Sequence, residues 1–366
     1  MTAPLLVIAA GGTGGHMFPA QALADEMLDR GWRVALASDA RGVRYAGGFA
    51  DAVERLEFAA ASPARGGLMA RLRAPFVIYR GIKAARARFG ADRPAVVAGF
   101  GGYPALPALA AAWTMGVPRL IHEQNGVLGR VNRLFARHVA RVCCGTWPVR
   151  NPPRGARLEP VGNPVRRAAV AAREMPYPEI GGTLSLLVFG GSQGASVFAR
   201  LVPQAVAMLP EGLRARLRVT QQVREGEEGA VGDTYRAAGV AATLAPFFDD
   251  MPDRIAAAHL VIARAGASTI AELACIGRPS LLVPYPHAMD NHQSANAAAL
   301  AEAGGARILP EAGLTAEALA AALRRLLDEA PAEAAAMAAA ARAQGRPDAA
   351  RRLGDIVQEL HQGAKG

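Results

Sequence analysis

Three glycine-rich segments follow short apolar runs and lead into helix-like stretches: Gly11-Gly12-Thr13-Gly14-Gly15-His16, Phe189-Gly190-Gly191-Ser192-Gln193-Gly194-Ala195 and Arg264-Ala265-Gly266-Ala267-Ser268-Thr269. Glycine lets a backbone approach an anion closely, and the unpaired N–H groups of a helix start stabilise the negative charge. Any one such loop is equally well a tight strand-to-helix turn. The first is not a dinucleotide fingerprint: counted from Gly12, G-x-G-x-x-G would need glycine at position 17, which is Met17. Asp39, at the end of the second strand, is therefore not read as a ribose-binding acid. No G-x-x-x-x-G-K-[ST] phosphate loop occurs either, so dehydrogenase and P-loop chemistry both lose ground. Glu272 stands three residues after Thr269. That spacing fits a capping box, and it equally fits a carboxylate accepting both hydroxyls of a ribose.

The elements that position these loops alternate. LLVIAA (5–10), WRVALAS (32–38), AVVAGFGG (95–102) and RLIHEQN (119–125) read as buried strands, with a helix from Pro19 to Arg30 ended by Gly31. Residues 151–182, with NPPRG, GNPVRR and PYPEIGG, read as a linker. The pattern then restarts with LLVFGG, and LRVTQQ (217–222), HLVIARAG (259–266) and PSLLVPY (279–285) continue it. An alanine- and arginine-rich helix fills 335–362. The fold class expected is α/β, two Rossmann-like doubly wound domains facing a cleft. The expected boundaries are 1–162, 163–340 and a C-terminal helical segment, 341–366, packing back on the N-terminal domain.

The 366 residues, 51% hydrophobic and 20% charged, suit two domains with sizeable cores. Cys143, Cys144 and Cys275 form no disulfide framework, which favours a reducing compartment. No positive charge precedes the first apolar run, so that run is a strand rather than a secretory signal. The uncharged stretch from Pro94 to Pro118 is broken by glycines and prolines, unlike a membrane span.

Charge is uneven: residues 1–160 hold 21 Lys/Arg against 10 Asp/Glu, a balance of +11, while the remainder is at −1. An anionic partner fits that asymmetry, as does a basic solubility surface. From Arg65 to Arg93 eight basic residues stand against Asp92 alone, and Leu72, Phe76 and Tyr79 fall at i, i+4, i+7 among them. Such a segment can lie on an anionic membrane surface, or pack its stripe inward as an ordinary domain helix. Few aromatics interleave with the basic residues and no recognised module is present, so no nucleic acid partner is expected.

The ordered set GGTGGH (11–16), GGY (101–103), HEQN (122–125), GNPVR (162–166), GGSQGA (190–195), FFDDM (247–251), GAST..E (266–272) and DNHQ (290–293) resembles the MurG family. These are the bacterial N-acetylglucosaminyltransferases acting on undecaprenyl-pyrophosphoryl-MurNAc-pentapeptide, and the likeness runs from about residue 5 to residue 300. It implies a GT-B glycosyltransferase fold, with the polyprenyl-pyrophosphate-linked muramyl-pentapeptide acceptor on the N-terminal domain and UDP-GlcNAc on the C-terminal one. It implies that the backbone of Phe248 reads the uracil and that Ala267, Ser268, Thr269 and Glu272 hold phosphates and ribose. Ser192 and Arg166 would lie near the pyrophosphate, and His292 and Gln293 at the sugar hydroxyls. Thr13, Gly14, Gly15 and Asn125 would reach the same donor from across the cleft. Relatives often carry Ser before the glycine of the third loop, where this chain has Ala265.

The chemistry expected is an inverting direct displacement without a cofactor. No D-x-D occurs, so glycine loops, helix N-termini and Arg166 would take up the charge of departing UDP in place of a metal. The base for the acceptor C4 hydroxyl is His16, with His122 and Glu123 as competitors. His16 could instead bind acceptor pyrophosphate at a helix start, and His122 could be satisfied by backbone. His138, His259 and His361 lie outside every motif. The expected location is peripheral, on the cytoplasmic face of the cell membrane. Another lipid-directed GT-B transferase, a UDP-sugar 2-epimerase and a non-catalytic nucleotide sensor or scaffold are the alternatives. HEQN and GNPVR argue against the epimerase.

Overall fold

The computed structural model describes residues 3–11, 14–40, 42, 46–61, 68–191 and 195–364. The chain divides into two units, 1–166 with 347–366, and 167–346. In the first, β1 (Leu5–Ala9), β2 (Arg33–Ser38), β3 (Glu54–Glu57), β4 (Val96–Gly99), β5 (Arg119–Glu123), β6 (Arg141–Cys144) and β7 (Leu158–Pro160) make a parallel sheet among the described residues. Its order is β3-β2-β1-β4-β5-β6-β7. Between strands run α1 (Gly14–Asp29), α2 (Leu68–Ala91), α3 (Leu106–Thr114) and α4 (Arg130–Phe135). Side chains of a strand alternate between its faces, and both faces are covered here. Leu5, Val7 and Ala9 pack with Phe89 of α2, Leu109 of α3 and Phe135 of α4. Leu6 and Ile8 pack on the opposite face with Met17, Leu23 and Met27 of α1.

Two local readings are corrected. Helix α1 begins at Gly14, not Pro19, so His16 lies in its first turn rather than in the loop. Proline favours a helix start, and two glycines disfavour helix, which is why composition places the start too late. Residues 151–182 are not merely a linker: they supply edge strand β7 and, in the second unit, α5 (Arg167–Ala172).

The second unit has β8 (Leu184–Phe189), β9 (Leu217–Gln222), β10 (Ala241–Ala245), β11 (Leu260–Ala263), β12 (Ser280–Leu282) and β13 (Ala306–Ile308). Their order is β10-β9-β8-β11-β12-β13, all parallel. Its helices continue with α6 (Ser196–Ala207), α7 (Glu211–Arg216), α8 (Glu228–Ala237), α9 (Met251–Ala257), α10 (Ala267–Ile276), α11 (His292–Glu302), α12 (Ala316–Arg324) and α13 (Pro331–Gln344). Leu184, Leu186 and Val188 form one core with Phe198 of α6 and Leu323 of α12. Both sheets reverse their winding, at β1/β4 and at β8/β11, and loops at the carboxyl ends of such strands are where doubly wound folds bind ligands.

The helical tail is not continuous. It breaks at Gly345-Arg346-Pro347, and α14 (Ala349–Gly363) belongs to the first unit whereas α13 belongs to the second. Leu353, Ile356 and Val357 of α14 join the α1 face of the first sheet. Arg30 of α1 donates to Gln358 at 2.7 Å and pairs with Asp355 at 2.9 Å, and Trp32 meets His361 edge-on. The three cysteines are free and buried, and burial pushes the Cys144 thiol up to about 12. Among the described residues no helix is long and apolar enough to cross a membrane.

Candidate active site

The carboxyl ends of β1, β4 and β5, neighbours in the first sheet, bring together the first turn of α1, the Phe100-Gly101-Gly102 loop and the His122–Asn125 segment. His16 is half-buried, and its Nδ1 lies 3.1 Å from Gln124 Oε1. Gly101 has φ +88°, and a Cβ there would stand 3.3 Å from His16 Cε1 and 3.2 Å from Asn132 Nδ2. The loop therefore passes His16 closely because it lacks a side chain there.

His122 and Glu123 are both buried, and neither is idle. His122 Nε2 lies 3.0 Å from the Gly162 carbonyl. Burial lowers the His122 pKa to about 4, because a cation there would lose its hydration. Glu123 Oε1 accepts from the Asn125 backbone N–H and from Asn125 Nδ2, both at 3.0 Å. Its Oε2 accepts from Gly129 N at 2.8 Å and Asn132 Nδ2 at 2.9 Å. Four donors converge on this carboxylate, so it acts as the clasp of the β5–α4 connection. Gly14 and Gly15 form the start of α1, and Arg166 holds its guanidinium 4.6 Å above the Phe18 ring on the same helix. Thr13 lies outside the described residues.

In the second unit the loops after β8, β10, β11 and β12 converge in the same way. Helix α10 starts directly after Gly266, so Ala267, Ser268 and Thr269 form its first turn. This overturns the capping-box reading. Thr269 is the third helical residue rather than the cap, and Glu272 is buried a turn further on. Gln293 Oε1 accepts from Ala265 N at 3.2 Å and Tyr285 N at 2.9 Å, tying two of the loops together. Its neighbour His292 opens α11. Phe248 is buried under Arg254, whose guanidinium stands 4.3 Å from the ring, whereas Phe247 is exposed. Ser192 lies outside the described residues.

Three positioning residues escaped the sequence reading. Gln124, inside HEQN, joins His16 to His122 and to Phe100. Gln222, at the end of β9, accepts from Gly190 N at 3.1 Å and donates to the Pro246 carbonyl at 3.0 Å, so it fixes the second glycine loop against the Phe248 loop. Arg264 is nearly buried between the rings of Phe198 and Tyr285, 5.3 Å from each, donates to the Val283 carbonyl at 3.1 Å and pairs with Glu311. The only signal for them was polarity at a buried strand end, which any core hydrogen bond would also produce.

Comparison with known proteins follows the same division. The N-terminal domain model of glycosyltransferase family 28 matches residues 6–144, and the C-terminal domain model matches 185–353. A protein of Rhodospirillum centenum is 53% identical over 96% of this chain and 93% of its own length. One of a Chelativorans species is 48% identical over 99% and 97%. Both are named UDP-N-acetylglucosamine–N-acetylmuramyl-(pentapeptide) pyrophosphoryl-undecaprenol N-acetylglucosamine transferase. Among solved structures, the Acinetobacter baumannii MurG superposes with a TM-score of 0.77 at 30% identity, covering 97% of this chain and 99% of that one. The glycosyltransferase of kitacinnamycin, 18% identical with a TM-score of 0.70, shares the fold.

Proposed function

We infer that this chain, which belongs to the MurG family within glycosyltransferase family 28, performs that family's reaction at the site described above. The chain transfers N-acetylglucosamine from UDP-N-acetylglucosamine to undecaprenyl-pyrophosphoryl-MurNAc-pentapeptide, the lipid I to lipid II step of peptidoglycan synthesis. The observation that carries this is the 53% identity along nearly the whole chain to a relative named for that transfer.

In the proposed mechanism the second unit holds the donor. The N–H groups opening α10 receive phosphate oxygens, the Phe248 loop meets the uracil, and Glu272 accepts ribose hydroxyls. Gln293 and His292 are assigned to the sugar hydroxyls, and Ser192 to the pyrophosphate. The first unit holds the acceptor; Thr13, Gly14, Gly15 and Asn125 are assigned to contacts with the donor, and Arg166 to its pyrophosphate. His16 is the base. It is half-buried, whereas His122 and Glu123 are fully engaged with internal partners. It takes the proton of the acceptor C4 hydroxyl as that oxygen attacks the anomeric carbon from the side opposite UDP. The C1–O bond to UDP breaks, and its electron pair goes to the β-phosphate. Helix-start N–H groups and Arg166 stabilise that charge without a metal.

Helix α2 supports peripheral attachment to the cytoplasmic face of the cell membrane. Its inner face is Ala74, Ala85 and Phe89, all buried, while Leu72, Phe76 and Tyr79 are 67%, 64% and 64% exposed. An apolar stripe turned outward on a basic helix fits an anionic bilayer and not a domain core. Leu68 and Arg71 have side chains outside the described set, as does Arg65 entirely.

The test is to incubate the purified chain with labelled UDP-N-acetylglucosamine and a short-chain analogue of the muramyl-pentapeptide lipid, with and without EDTA. Labelled disaccharide-lipid in both is expected. Product that returns only on adding Mg²⁺ or Mn²⁺ would contradict the metal-free mechanism. No product from a chain that still binds UDP would point to a different acceptor.

A further inference from the structure

His16 sits at one end of a buried hydrogen-bond chain whose directions can all be assigned. Gln124 Nε2 lies 3.1 Å from the Phe100 carbonyl and 3.3 Å from the His122 carbonyl. Both are acceptors only, so the amide nitrogen must face them. His122 agrees from a third direction. Its Nε2 faces the Gly162 carbonyl at 3.0 Å and must carry the hydrogen, which leaves its Nδ1 an acceptor 3.3 Å from Gln124 Nε2, sharing one of the two amide hydrogens with the His122 carbonyl. Burial keeps His122 neutral, and Gln124 is itself 1% exposed, so water does not scramble the order. With the nitrogen fixed, Gln124 Oε1 is the atom 3.1 Å from His16 Nδ1. A carbonyl oxygen only accepts, so His16 Nδ1 carries the hydrogen and the lone pair lies on Nε2.

We propose that Gln124 is a positioning residue that locks His16 in the Nδ1–H form and so presents the Nε2 lone pair to the acceptor hydroxyl. This rests on the reading of His16 as the base. Neutral histidine in water favours the opposite form, with hydrogen on Nε2, in which the remaining lone pair would face inward. In the step itself the hydroxyl O–H bond breaks and its proton binds Nε2, while the oxygen bonds to the anomeric carbon and the bond from that carbon to UDP breaks with its electron pair going to the β-phosphate. The imidazolium that results keeps its Nδ1–H directed at Gln124 Oε1, which accepts more strongly from a cation than from a neutral ring. A histidine whose second nitrogen is held by a partner in this way is fixed in tautomer and ring orientation, and a base that needs that orientation loses activity with the partner.

The experiment is a long-range ¹H–¹⁵N correlation spectrum of the full chain labelled at its imidazole nitrogens, with the His16 signals assigned by their loss in His16→Ala. It is paired with steady-state kinetics of Gln124→Leu and Gln124→Glu. The wild type should show a protonated Nδ1 and a bare Nε2 at His16. Gln124→Leu should move His16 toward the Nε2–H form and lower kcat on the order of 10- to 100-fold with KM for the nucleotide sugar within about twofold. Gln124→Glu, which as a neutral acid can donate to one carbonyl and accept from Nδ1, should retain the wild-type form and most of kcat. A wild-type His16 protonated on Nε2, or a Gln124→Leu chain with unchanged spectrum and kcat, would overturn the proposal. A fully active His16→Ala chain beside a wild-type Nδ1–H signal would strike down the base reading instead, leaving the tautomer lock in place.

Discussion

His122 shows how one residue can be conspicuous in a motif and still serve another. It lies wholly inside the first unit, hydrogen-bonded at Nε2 to the Gly162 carbonyl, and burial lowers its pKa from 6.5 to about 4. The unfolded chain therefore binds a proton between those values that the folded chain refuses. Stability contributed by the neutral ring is complete above pH 6.5 and falls as pH drops toward 4, by up to about 3 kcal/mol. Trp32, Trp113 and Trp147 all belong to the first unit, so tryptophan fluorescence follows its unfolding alone. Urea unfolding at pH 7 and pH 4.5 should show this extra loss in the wild type and not in His122→Gln. Equal pH dependence in the two chains would place the acid-sensitive group elsewhere. HEQN was legible as a chemical motif, but the division of labour within it was not. Sequence spacing does not show that Glu123 faces four donors, or that Gln124 links the two histidines.

At the scale of elements, glycine and buried apolar runs made β1, β2, β4, β5, β8, β9, β11 and β12 legible, because strands covered on both faces are nearly continuous in apolar residues. The short strands β3, β6, β7, β10 and β13 were not. Glu54–Glu57 carries three charged residues and one leucine at a sheet edge, and Leu158–Pro160 ends in a proline that an edge strand tolerates. Helix α2 was legible as basic and amphipathic, but which face it buries was not, since Ala74, Ala85 and Phe89 compete with Leu72, Phe76 and Tyr79 for the core. At the middle of the inner face Gly81 brings the helix against Ala59 and Pro107, where a Cβ would stand 2.0 Å from the Ala59 carbonyl oxygen, so no side chain fits there. The stripe left outside carries a prediction. Changing Leu72 and Phe76 to Ser should weaken co-sedimentation with anionic vesicles by about tenfold or more per residue, from roughly 1.5–3 kcal/mol of lost apolar transfer each. Binding that is unchanged, or that ignores anionic lipid content, would contradict a membrane role for α2.

Across the whole molecule, the two sheets repeat one design, and the restart of the strand-glycine-helix pattern near residue 184 made that visible in advance. Where the last helix begins was harder to read, because its alanines and arginines continue those of α13 without a change of texture. Its burial makes it integral. Removing 347–366 exposes the partners of Leu353, Ile356 and Val357, a loss of roughly 5–9 kcal/mol from those three side chains, comparable with the whole stability of a domain. The shortened chain should lose the tryptophan-monitored transition of the first unit while circular dichroism still reports a cooperative second unit. A wild-type tryptophan transition would contradict that assignment. The central claim is that the first unit moves the proton and the second holds the donor, so steady-state kinetics at varied UDP-N-acetylglucosamine, comparing His16→Ala with Glu272→Gln, tests it most directly. His16→Ala should lose about 10²- to 10⁴-fold in kcat with KM nearly unchanged, while Glu272→Gln should chiefly raise KM. A His16→Ala chain with wild-type kcat, or one in which only KM rises, would contradict it.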